Sequence, residues 1–166
     1  MQPGGLARKI LGECEDALVL AEADELALAG SIVRRGGTGR RRILVLGHGP
    51  SFSPRLAEYA VGLAQRLEYG LVFLNVCESR GHGTTPQMGA FMREGFARRS
   101  GDEARPWLLL AAHQGLDAGH VVRFGDTAAE VEELCHDLHR VELILSDPGE
   151  GARLEGRTPS TLFTVR

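Results

Sequence analysis

Short apolar runs separated by stretches of helical periodicity constrain this chain more than any other feature. Residues 43–46 (Ile-Leu-Val-Leu), 71–76, 121–124 and 141–145 are each too short for a helix. Residues 43–46, wholly apolar, and 71–76, broken only by Asn75, read as strands buried on both faces; Val121, Val122 and Phe124, and residues 141–145, supply two further strands. Between them the apolar positions return every three or four residues, as in helices with one buried face. Strand and helix in strict alternation give parallel pairing and right-handed crossovers. The expected fold class is therefore α/β, a doubly wound, Rossmann-like sheet of five mainly parallel strands, the fifth at residues 161–165.

The helices carry their own punctuation. Ser53-Pro54 is an N-cap with proline at the first helical position. Leu56, Tyr59, Ala60, Leu63, Ala64 and Leu67 then share a face, and Gly70 reads as the closing C′ glycine. Thr85-Pro86 opens a helix with Met88, Phe91, Met92 and Phe96 on one side, expected to stop near Ser100-Gly101. A further helix from Asp102 follows, because Pro106 belongs in or near a first turn. Thr127 to Glu130 forms a capping box, and Val131, Leu134, Cys135 and Leu138 make the buried face behind it.

Residues 1–41 differ from the rest. Leu11, Cys14, Leu18, Ala21, Leu28 and Ile32 recur at helical spacing among many acids, and a basic, glycine-rich stretch leads to Arg42. The organisation expected is an N-terminal helical extension and linker (1–41) joined to one α/β domain (42–166), which suits a chain of 166 residues. A net charge of -3 leaves no basic excess for nucleic acid. No apolar run approaches the length of a membrane span. Three widely spaced cysteines, Cys14, Cys77 and Cys135, suggest reduced thiols in a cytoplasmic protein.

The order and spacing of these pieces resemble the universal stress protein family over residues 42–166. Ile43-Leu44-Val45-Leu46-Gly47-His48-Gly49 resembles its opening strand and aspartate-glycine turn, and residues 53–77 its first helix and second strand. Phe124-Gly125-Asp126-Thr127-Ala128-Ala129-Glu130-Val131 looks like the family's helix start after strand three. Thr158-Pro159-Ser160-Thr161-Leu162-Phe163-Thr164-Val165-Arg166 looks like its closing strand.

Two departures bear on function. His48 stands where nucleotide-binding members carry an aspartate. Their phosphate-binding frame is G-x-x-G, a nine-residue spacer and G-[S/T], but here Gly149 and Gly151 are separated by one residue and no such spacer follows. Asp147 and Glu150 also put negative charge where phosphate oxygens would lie. The segment is too short and too rich in glycine and proline for a full crossover helix, so the last helix is expected to be shortened or absent. With so little chain, the last strand is expected either parallel to strand four or returning antiparallel.

In doubly wound sheets the ligand crevice lies at the carboxyl ends of the strands. The candidate crevice residues are Gly47, His48, Gly49, Val76, Asp147, Gly149, Gly151 and Arg153, with Arg157 as a second possible phosphate contact. His48, Cys77, His82 and Asp147 also converge in this topology, but read as a turn histidine and a packed thiol rather than a metal or catalytic site. Cys135 with His139 reads as packing, and Ser53 as a cap. No catalytic constellation is expected.

What the resemblance implies is a non-enzymatic regulatory or interaction protein of the stress response, binding no cofactor; the alternative is an ATP- or AMP-binding switch with a remodelled crevice. The implied partners are a second copy through the last strand and a protein reached by the N-terminal helix. That helix is also a candidate to cover sheet left bare by the missing last helix. Neither nucleic acid nor membrane is expected.

Overall fold

The computed structural model describes residues 40–78 and 85–166. The expected N-terminal helix and His82 lie outside the described residues. The chain runs β1 (Arg42–Leu46), α1 (Pro54–Leu67), β2 (Gly70–Cys77), α2 (Pro86–His113), β3 (Ala118–Phe124), α3 (Thr127–Leu138), β4 (Val141–Ser146), α4 (Pro148–Leu154) and β5 (Thr161–Thr164). The strands form one sheet of order β3-β2-β1-β4-β5 in which every pairing is parallel. The last strand therefore continues parallel to β4.

Two cores cover the two faces. Ile43, Val45, Leu71, Phe73 and Leu145 face α1 and the second half of α2. Leu44, Leu46, Val72, Leu74 and Ile144 face α3 and α4. The alternation along β1 puts every second residue into each core, so both faces of the central strand are dry.

Helix ends differ from expectation at three places. Glu68, not Gly70, takes the left-handed position after α1, at φ 57°. Gly70 instead opens β2 opposite Arg42. Asp126 caps α3 by accepting from the Ala129 N–H, which frees the Thr127 hydroxyl for another partner. Residues 86–113 form one continuous helix of 28 residues rather than two. Pro106 is tolerated mid-helix because it and Asp102, whose carbonyl loses its intrahelical partner, both face solvent. Ala104, Leu108 and Ala111 meanwhile hold the opposite side in the core.

The last helix is present but reduced to seven residues. A helix that short does not persist on its own. Two contacts hold it: Leu154 is fully buried, contributing about 2 kcal/mol, and Gly151 lets the backbone rest against β4 and β5. A Cβ on Gly151 would overlap the Thr164 methyl and sit 3.0 Å from the Ser146 hydroxyl. The sheet face beneath α4 is thus covered and not bare: Ile144 and Leu154 are both inaccessible. Gly151→Ala should cost about 1–3 kcal/mol in urea unfolding through overpacking. Gly149→Ala, where a Cβ meets nothing within 4 Å, should change stability by less than about 0.5 kcal/mol.

Candidate functional site

Parallel strands direct their carboxyl ends to one edge of the sheet, and the strand order reverses between β1 and β4, which opens a crevice there. Its floor begins with the turn after β1. Gly47 has no room for a side chain: a Cβ would lie 2.5 Å from Asn75 Nδ2 and 2.6 Å from the Ser51 carbonyl. His48 and Ser51 exchange backbone hydrogen bonds of 2.9 and 3.1 Å, and Gly49 turns the chain at φ 55°.

The turn is braced from below by two buried polar side chains. Asn75 donates to the Gly49 carbonyl at 2.7 Å, and its amide oxygen accepts from His120 Nε2 at 2.8 Å. Both residues are buried, and Phe52 and Phe73 pack around them edge-on. With Nε2 donating, His120 Nδ1 has no hydrogen-bond partner. Burial accordingly pushes the imidazole down to about 4.

The crevice itself has a volume of about 210 Å³. Gly47, His48, Gly49, Val76 and Arg153 border it, as the sequence suggested. Asp147, Gly149 and Gly151 do not. Asp147 turns toward α1 and accepts from the Ser53 hydroxyl at 2.8 Å; Gly149 lies in open space and Gly151 is packed on β5. Arg157 reaches Asp126 at 3.2 Å, away from the cavity.

Sequence reasoning missed Glu78, Thr127 and Phe96 in the lining and the Asn75–His120 brace. Glu78 directly follows the second apolar run, which was a usable signal. Nothing in the sequence pairs Asn75 with a histidine forty-five positions later.

The polar groups of the crevice satisfy one another. His48 Nδ1 lies 2.8 Å from Glu150 Oε1, and Glu150 is buried. Glu78 accepts from the Thr127 hydroxyl at 2.8 Å and from Arg153 at 3.3 Å. Cys77 borders the same cavity, but burial pushes its thiol up, against a weaker pull from Arg93 and Arg99. It is therefore a poor thiolate donor at neutral pH. No cluster of three metal-binding side chains occurs among the described residues. Cys135 is buried, with its thiol pushed up to about 11 by desolvation. No helix of the described residues is long and apolar enough to cross a membrane.

An all-parallel 3-2-1-4-5 sheet, with its crevice at the strand carboxyl ends, defines a doubly wound α/β protein. The universal stress protein family model matches residues 39–145, and the chain belongs to that family. Its fold is similar to that of universal stress protein UspA from Lactobacillus plantarum, with TM-score 0.66 and 18% identity over 76% of this chain and 98% of that one. The Archaeoglobus fulgidus universal stress protein in complex with dAMP aligns with TM-score 0.55 and 11% identity, covering 76% and 98%. An Arabidopsis thaliana family protein with AMP bound aligns with TM-score 0.52 and 13% identity, covering 75% and 90%. Among curated protein sequences none matches the chain.

The brace makes stability depend on pH. The native imidazole titrates near 4 and the unfolded one near 6.5. Between those values the unfolded chain binds a proton that the native state refuses, so stability is full above about pH 6.5 and falls as pH drops toward 4. From pH 7.5 to 5 the loss from this group should be about 2 kcal/mol in urea unfolding, and His120→Gln should remove that part of the pH dependence. Asn75→Ala, which strands both the Gly49 carbonyl and His120, should cost about 2–4 kcal/mol at pH 7.

Proposed function

We propose that this protein is a non-catalytic regulatory or interaction member of its family whose crevice does not take ATP. The carrying observation is that Glu78 and Glu150 occupy the crevice and are already paired with Arg153 and His48. A triphosphate would have to displace Arg153 and His48 from carboxylates that would then repel it. Two further features support the reading. The cavity of about 210 Å³ falls below the roughly 300 Å³ at which small-molecule sites begin. Helix α4, which opens beside the crevice, has Pro148 and Glu150 in its first turn, removing one N–H and neutralising the positive end of the helix dipole that an anion would otherwise use.

A second reading is favoured by one specific observation: the Gly47–His48–Gly49 turn, Val76 and Arg153 still share one cavity. Release of the half-exposed Arg153 from Glu78 would leave space and one cation for a monophosphate such as AMP. Calorimetric titration separates the readings. The expected result is no saturable heat and no shift in Tm with Mg-ATP or AMP. Saturable AMP binding lost in Arg153→Ala would establish the second reading, and saturable Mg-ATP binding would overturn the first.

The same proposal includes a homodimer through β5. This strand is the outermost of the sheet, with one backbone edge unpaired by β4, and Phe163 is 51% exposed. A two-fold axis beside it would pair β5 with its own copy. Light scattering should give a dimer for the native chain and a monomer for Phe163→Asp, with an unchanged far-UV circular dichroism spectrum.

A further inference from the structure

The first half of α2 stands apart from the domain. Its 28 residues span about 42 Å, whereas the eight residues of β2 rise about 26 Å, so the helix overhangs the sheet. Burial begins only at Phe96 and Ala97, which pack on Val122. N-terminal to them, Met88, Phe91 and Met92 are 51%, 73% and 57% exposed. Their i, i+3, i+4 spacing places all three on one face. Just behind that face the helix carries Arg98, which pairs with Glu94 at 3.4 Å, and Arg99, while Arg93 lies on the domain side over the Phe124 ring. An apolar stripe on a two-turn overhang with a basic flank is not needed by the fold, since none of it packs on the core.

The chain contains a segment of matching chemistry. Between Ile10 and Val33 there are six acids (Glu13, Glu15, Asp16, Glu22, Asp24 and Glu25) and no lysine or arginine. The helical spacing of Leu11, Cys14, Leu18, Ala21, Leu28 and Ile32 supplies an apolar face between the acids. Residues 34–40 connect this segment to Arg41, whose carbonyl accepts from the Gly70 N–H, and extend up to about 24 Å.

The geometry points to the N-terminal segment of this same chain, residues 6–33, as the occupant of the α2 overhang. Its apolar face lies on Met88, Phe91 and Met92, and its acids face Arg98 and Arg99. Two amphipathic helices packed in this way bury the stripe on each, and the opposite charges set which ends meet. The inference does not rest on the fate of the nucleotide crevice.

Cys14 on the apolar face of the segment provides the probe. In the full-length chain Met92→Cys, or independently Phe91→Cys, places a thiol in the stripe, and Glu155→Cys serves as an exposed control outside it. Mild oxidation at low protein concentration, followed by mass spectrometry of the linked peptides, reads the pairing. The expected result is an intrachain Cys14 disulfide forming at least about tenfold faster from position 91 or 92 than from position 155. Arg98→Glu with Arg99→Glu should slow it, and Glu22→Arg with Glu25→Arg in the same chain should restore it. Equal rates at the stripe and the control would overturn the inference. A predominantly interchain disulfide would overturn it in favour of a second copy.

Discussion

At the centre of the sheet, Ile43, Leu44, Val45 and Leu46 bury both faces of β1, while its two backbone edges bond β2 and β4. A strand dry on all sides can leave the interior only through its ends, so the chain must turn sharply at Gly47. That turn lies against Asn75 so closely that no side chain fits at position 47. The brace of Asn75 and His120 follows from the same constraint, because the carbonyl of Gly49 points inward and needs a donor. The position of His48, and with it the floor of the crevice, is set by this buried polar contact as much as by the strand.

Above that floor the crevice is organised around charge balance. Glu150 is buried and Glu78 about one-third exposed, positions in which an unpaired carboxylate is costly. His48, Arg153 and Thr127 meet that need from three different elements. The result ties α4, the β2 end and α3 together across the mouth. Away from the cavity, Asp126 with Arg157 and Ser53 with Asp147 add further links between elements. A crevice that in the doubly wound topology is the natural ligand site is here cross-braced by the protein's own side chains.

The shortened α4 shows how packing substitutes for length. Its seven residues persist because Leu154 reaches the core shared with α3 and because Gly151 permits backbone contact with β5. The same economy leaves β5 only four residues long and keeps it in register with β4 from Leu143 to Ser146. By contrast α2 is longer than the sheet it covers, and its surplus ends in exposed apolar residues rather than in the core.

The amino-acid sequence by itself determined the parallel core, since residues 43–46 are wholly apolar, residues 71–76 nearly so, and strands and helices alternate along the chain. Their order also identified the crevice and brought Gly47, His48, Gly49 and Val76 to it. Local signals failed where tertiary context outweighed them. Pro106 read as a helix start, yet its solvent-facing side cost too little to break a helix anchored by Ala104, Leu108 and Ala111. Thr127 read as a cap, yet Glu78 competes for its hydroxyl and Asp126 caps instead. Gly149, Gly151 and Asp147 read as crevice residues, but three different surroundings (solvent, Thr164 and Ser53) draw them away from it. Only the folded chain decided the pairs His48–Glu150, Arg153–Glu78 and Asn75–His120. Each joins residues far apart in sequence, and the free energy of a buried polar group depends on its partner's distance, not on its own identity.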